Sequence, residues 1–205
     1  MTIFCIEQNY LTNKRERDQT MSSLPSVFVK PPTALVSDIG SYPYSGFADN
    51  RLFVQSELVL RISESGKEIP EAEADQYFDA ITTGLNFTQV NIQDALNKLV
   101  VPWEKAKGWP GSSVSGNWFP VESLDDLNEM SFCLYSNREM MQLGNSELMI
   151  YNFQKIVSLV SKTYSLQKGD LIFTGTPIGI GEVFSGDTLE SFLEDETTVE
   201  FQITS

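Results

Sequence analysis

From Phe53 to Ile62 the chain alternates: Leu58, Leu60 and Ile62 point one way while Gln55, Glu57, Val59 and Arg61 point the other. That is the period of a β-strand, and it sets Gln55 and Glu57 side by side on one face. Pro70 to Thr83 opens on a proline, carries Glu71 and Glu73 in its first turn and spaces Tyr77, Phe78 and Ile81 as on a helix. A modest amphipathic helix is predicted there. A stronger one is predicted from an N-cap at Ser146, with Met149, Phe153, Ile156, Val157, Val160 and Tyr164 on one stripe, ending before Gly169-Asp170. The stripe reads as core. Strands follow at Leu171 to Thr174 and Thr198 to Ile203, around a glycine-rich connection. Strands outnumber helices, and their spacing is too irregular for a βαβ alternation. No repeat, low-complexity tract or linker interrupts the 205 residues, so one domain spanning 1–205 is expected.

Composition narrows the chemistry. There is no histidine, which excludes a Ser/His/Asp triad, a Cys/His dyad, a His-ligated zinc or haem and an imidazole base. Catalysis would have to use carboxylates, Lys, Tyr or a bound ion. A net charge of −14 repels phosphate backbones and anionic lipid surfaces, so neither nucleic acid nor membrane is an expected partner. No apolar run approaches the roughly 18 residues of a membrane span, and no basic flank or cleavage signal opens the chain; cytoplasmic residence is the expectation. Cys5 and Cys133 lie in apolar stretches and read as reduced, structural thiols.

Three features could carry chemistry. Thr174-Gly175-Thr176-Pro177-Ile178-Gly179-Ile180-Gly181 follows a predicted strand and could cradle an anion on backbone N–H groups, but it lacks the Lys-Ser/Thr ending of a phosphate loop. Taken alone, a tight structural turn fits it better. Gln55 and Glu57 could share a cation, although spacing alone favours a solvated polar face. Glu16, within Asn13-Lys14-Arg15-Glu16-Arg17-Asp18, reads in isolation as part of an exposed charge run.

Taken in order, several segments carry a more specific signal. These are Asn9-Tyr10, Phe28-Val29-Lys30-Pro31-Pro32, the strand bearing Glu57, Gly84-Leu85-Asn86-Phe87-Thr88, Pro102-Trp103-Glu104-Lys105-Ala106-Lys107-Gly108, Gln142-Leu143-Gly144-Asn145, and Gly169-Asp170-Leu171-Ile172-Phe173-Thr174-Gly175-Thr176-Pro177. Together they resemble the fumarylacetoacetate hydrolase family over nearly the whole chain. The resemblance implies an α+β fold, a strand-rich mixed β-sheet roll with peripheral helices, and a homodimer. It also implies hydrolysis or decarboxylation of short diketo or keto acids, such as acylpyruvates, with a divalent metal.

The chain departs from the family pattern at the site itself. Three carboxylates that hold magnesium or manganese in the family correspond to Gln55, Glu57 and Asn86, and the His of a water-activating His/Glu pair corresponds to Asn13, leaving Glu16. Val90, Asn91 and Pro110 also stand where the family carries other residues. By resemblance, Lys107 belongs to the catalytic set and Thr176, Gly175 and Tyr10 hold substrate oxygens.

Magnesium draws much of its affinity from carboxylate charge. Keeping even ~3 kcal/mol of each lost pair interaction makes each amide replacement worth about a hundredfold in affinity. An asparagine amide at position 13 also cannot take a proton from water, and general-base help is worth about 10² to 10⁴ in rate. Tight binding of a metal is therefore not expected, though Asn and Gln carbonyls leave room for weak calcium. The residues point first to a family member with weak or no activity that keeps a pocket for a small keto-acid-like ligand. The alternative is an active, diverged hydrolase or decarboxylase in which Glu57, Gln55 and Asn86 still hold a divalent cation.

Overall fold

The computed structural model describes residues 1–12, 25–36, 41–43, 51–102, 104–122 and 127–204. Among these, the larger sheet contains β1 (Ile3–Glu7), β2 (Ser26–Lys30), β3 (Leu35–Val36), β5 (Leu52–Ile62), β6 (Phe78–Gln89), β7 (Ser113–Ser115) and β11 (Leu171–Phe173), in the order β2-β1-β11-β5-β6-β7-β3. β8 (Phe119–Pro120) adds to β6 and β12 (Gly181–Val183) to β5. The order begins on β2 and ends on β3, yet only Pro31–Ala34 separate these strands in sequence. The sheet must therefore curl until its two edges meet, which makes it a roll with an inside and an outside.

Register assigns the two faces. Pairings Gln55↔Asn86, Asn86↔Ser113, Val59↔Phe173, Cys5↔Phe173, Cys5↔Phe28 and Ile3↔Lys30 put these residues, with Glu57 and Glu7 by parity, on the inner face. Part of the inside is apolar, built from Ile3, Cys5, Phe28, Val59, Leu171 and Phe173. The rest is polar and forms the site. Outside, Phe4, Leu58, Leu60, Ile81 and Ile172 pack against Phe153, Ile156, Val157 and Val160 of the helix Phe153–Thr163. At the other end Leu52, Val54, Leu85 and Phe87 pack on a second sheet. It comprises β4 (Ser41–Pro43), β9 (Ser131–Ser136), β10 (Glu139–Asn145), β13 (Thr188–Leu193) and β14 (Glu196–Thr204). Buried hydroxyls join the two sheets: Ser56 to Ser191 at 3.0 Å, and Thr83 to both Ser191 and Thr198.

Both expected helices change. Only a 3-10 segment, Glu71–Tyr77, forms after Pro70, and Phe78 onward is strand β6. Pairing with β5 over its whole length overrides the local helical spacing. The Ser146 signal yields a 3-10 turn, Ser146–Leu148, while the helix starts at Phe153 behind Asn152, whose Oδ1 accepts from Lys155 N–H at 2.9 Å. A further helix, Val90–Lys98, follows β6. Cys5 is buried, Cys133 half-buried, and both are free thiols. Among the described residues no helix is long and apolar enough to cross a membrane.

Candidate active site

β6 runs along the whole of one edge of β5, but the other edge is divided. β11 pairs with Val59–Arg61 and β12 with Leu52–Val54, which leaves the ladder open from Gln55 to Leu58. Backbone groups in this gap take other partners, as buried groups must. Ser56 N–H donates to Gln142 Oε1 at 2.7 Å, Ser56 O accepts from Thr176 Oγ1 at 2.9 Å, and Leu58 O accepts Thr174 N–H at 3.0 Å and its hydroxyl at 2.9 Å. The glycine-rich connection thus crosses the sheet where two strands part. The site lies beneath that crossing.

Glu57 is its centre. It is 1% exposed, and three N–H groups clamp its carboxylate: Oε1 accepts from Gln55 Nε2 at 2.9 Å and Asn86 Nδ2 at 2.7 Å, and Oε2 accepts from Gly175 N at 2.9 Å. The polar face expected to be solvated is therefore buried, because the roll closes over it. Gly175 has φ +97°, and a Cβ there would lie 2.8 Å from Asn9 Cβ, so only glycine brings this N–H to Glu57 without strain. The turn does hold an anion, and the anion is the protein's own carboxylate.

Behind Asn86 stands Lys30, fully buried, reaching across the seam of the roll. Its Nζ donates to Asn86 Oδ1 at 2.7 Å, Ser112 O at 2.8 Å and Ser113 Oγ at 2.9 Å. Turning the Asn86 amide over would set its oxygen against Glu57 and its NH2 against Lys30, so the network fixes its orientation. Burial pushes the Lys30 pKa down to about 8; Lys107 adds to the fall and the Glu57 charge opposes it. Burial pushes the Cys5 thiol up to about 12, which keeps it protonated. Lys30, Asn86, Glu57 and Gln55 form one chain of charge-assisted hydrogen bonds in which a lysine supplies the positive charge.

A magnesium or manganese centre does not fit this donor set. Both amides turn N–H groups toward Glu57, the Asn86 oxygen is held by an ammonium, and one carboxylate remains for a small cation that wants several hard oxygens. Among the described residues no three Asp, Glu or Cys side chains group as metal ligands.

Beside the clamp opens a cavity of about 460 Å³, lined by Glu7, Tyr10, Phe28, Phe53, Gln55, Thr88, Lys107, Thr176 and Ile178, among others. Lys107 lies over the Phe28 ring, 5.2 Å from its centroid, and its Nζ is 3.3 Å from Glu7 Oε1. The Tyr10 hydroxyl is buried and, among the described residues, the Thr174 side chain is the hydroxyl group nearest to satisfying it; burial and the Glu57 charge raise its pKa more than Thr174 lowers it, so it stays a donor. Thr176 lines the cavity, yet its hydroxyl accepts from Gln142 Nε2 at 2.6 Å and donates to Ser56 O.

The structure thus gathers Gln55, Glu57, Asn86, Lys107, Tyr10, Gly175 and Thr176 in one place; Asn13 and Glu16 lie outside the described residues. Gly175 N–H and the Thr176 hydroxyl are engaged by the protein rather than turned to a ligand alone. Sequence reading missed the roles of Lys30, Glu7 and Gln142. One signal for Lys30 was present: it shares strand parity with Phe28, an apolar position of the same strand.

Comparison with known proteins agrees with this architecture. Residues 2–205 match the fumarylacetoacetate (FAA) hydrolase C-terminal family. The mitochondrial oxaloacetate tautomerase FAHD1 of Rattus norvegicus is 31% identical over 201 residues, 98% of this chain and 90% of that protein. The human protein of that name is 30% identical over the same shares. Among solved structures, the 5-carboxymethyl-2-hydroxymuconate delta-isomerase of Mycobacterium smegmatis superposes with a TM-score of 0.86 at 25% identity, covering 99% of this chain and 78% of that one. Fumarylpyruvate hydrolase of Pseudomonas aeruginosa, in complex with Mn2+ and pyruvate, gives a TM-score of 0.88 over 100% and 89% of the two chains; at 24% identity it shares the fold. With the roll, the site beneath its strand crossing and the match over residues 2–205 all in agreement, the chain belongs to the fumarylacetoacetate hydrolase family.

Proposed function

We propose that this chain binds a small keto acid in the cavity beside Lys107 without a resident metal, and that it hydrolyses or decarboxylates such acids weakly or not at all. The observation that carries this reading is the clamp on Glu57. Three N–H groups and the nearby Lys30 ammonium satisfy the charge that a divalent cation would otherwise meet. The buried Tyr10 hydroxyl and the Lys107 ammonium, both on the cavity wall, are the groups suited to ligand oxygens. Lys107 attracts a carboxylate, and Tyr10 donates to a keto or enol oxygen.

The chain acts as a homodimer in this reading. Met140 and Leu143 are exposed on β10, an edge strand of the second sheet among the described residues, where a second copy would bury them. Light scattering should give about twice the 23.0 kDa chain mass, and the chain mass itself at micromolar protein would reject the pairing.

Calorimetric titration with a short 2-oxo acid, in chelator and again in millimolar magnesium, tests the central reading. Equal, saturable binding in both, with no turnover of an acylpyruvate or oxaloacetate that depends on magnesium, is expected. Binding or turnover that appears only with magnesium contradicts it and favours the active, metal-holding alternative.

A further inference from the structure

Glu7 sits at the end of β1, on the inner face of the roll, and lines the cavity opposite Lys107. Its Oε1 is 3.3 Å from Lys107 Nζ, and its side chain is 28% exposed where that of Lys107 is 8% exposed. Glu57 is sealed in its clamp, so Glu7 and Lys107 are the two charged side chains among the described residues that line the cavity. The rest of the described wall is uncharged, mixing apolar side chains with the amides of Gln8, Gln55 and Gln93 and the hydroxyl of Thr88. Phe53, Val90, Ile178 and Ile180 supply its apolar part, and the last two are 69% and 51% exposed.

One ammonium matches one ligand carboxylate. A second carboxylate would find no second ammonium on the described wall, would exchange hydration for neutral amides and apolar side chains, and would be repelled by Glu7. An apolar tail in the same place would instead cover the exposed Ile178 and Ile180. Resting on the keto-acid reading above, we propose that Glu7 is a specificity-determining residue that makes the cavity select short monocarboxylates with an apolar tail over dicarboxylates. Glu7 shares the Lys107 ammonium in the free protein, and an incoming carboxylate must compete with it. A single negative charge can do so; a dianion carries an additional charge into the Glu7 field.

Matched five-carbon probes read this directly: 2-oxopentanoate, a monoanion, and 2-oxoglutarate, a dianion of the same length. Calorimetry of the full chain in chelator should show 2-oxopentanoate binding at least about tenfold more tightly. Glu7→Gln, close in shape and without charge, should tighten both acids but the dianion more, bringing the two within about threefold of each other. Should that variant fail to fold, the wild-type ratio serves in its place. It should narrow several-fold as salt rises from about 0.05 to 0.5 M, because a part-exposed charge is screened. Equal or tighter binding of 2-oxoglutarate by the wild type, or a ratio that neither the substitution nor salt changes, overturns the role of Glu7 and leaves the keto-acid reading standing. No saturable binding of either acid to either form removes that reading and the selectivity with it.

Discussion

Lys30 carries its charge into the roll at a cost that pH exposes. Folded, its pKa is pushed down to about 8; unfolded, it returns to the ordinary value near 10.5. Between these values the unfolded chain binds more protons than the folded one, so this group makes stability rise with pH across that window and level off above it. Cys5 works in the opposite sense from about pH 9 to 12, because its buried thiol keeps a proton that the unfolded thiol gives up. Denaturant melts in a Cys5→Ala background therefore isolate the lysine. The stability of the Lys30 form relative to Lys30→Met should increase by roughly 1–3 kcal/mol between pH 8 and 10.5; a flat or falling difference would show that the ammonium is not buried as described. At Gly175 the constraint is steric. Gly175→Ala must take φ +97° and meet Asn9 Cβ, and should cost about 1–3 kcal/mol in chemical denaturation while drawing the N–H away from Glu57.

At the scale of elements, β5 shows what a sequence can display and what it hides. Its alternation is written in Leu58, Leu60 and Ile62, and the structure keeps Gln55 and Glu57 on one face, 2.9 Å apart. Burial of that face was not legible, because it depends on strands from residue 3 to residue 173 pairing in one curled sheet between β2 and β3, which no local pattern records. Lys30 was hidden for the same reason. Lys107 and Thr176, singled out by their motifs, line one cavity, but spacing could not show that the Thr176 hydroxyl is engaged by Gln142 and Ser56 or that Glu7 lies beside Lys107. The segment after Pro70 misleads because its acidic first turn suits a helix, while the pairing that makes Phe78–Gln89 a strand lies with β5. For the helix Phe153–Thr163, the cap is Asn152 rather than Ser146. Asn152→Ala should cost about 1 kcal/mol in a thermal or denaturant melt, by loss of the bond to Lys155 N–H.

Over the whole molecule, closure of the roll and the chemistry of its interior are one problem. A sheet whose two edges meet encloses polar side chains that water can no longer satisfy, and this chain satisfies them with amides and a lysine around a single carboxylate. Reversing two amides should change that balance. In Gln55→Glu with Asn86→Asp, two donors to Glu57 become carboxylates that repel it, so the variant without metal should melt below the wild type. Magnesium should then bind with micromolar affinity and raise the melting temperature by several degrees at a hundredfold excess over Kd, about 2.7 kcal/mol of linkage. Parallel magnesium titrations of the wild type and this double variant, read by calorimetry and thermal melting, decide whether the amide clamp on Glu57 keeps the metal out. The wild type should give no saturable heat and no shift at millimolar magnesium while the variant gives both; saturable micromolar binding by the wild type would mean that the clamp yields to a cation.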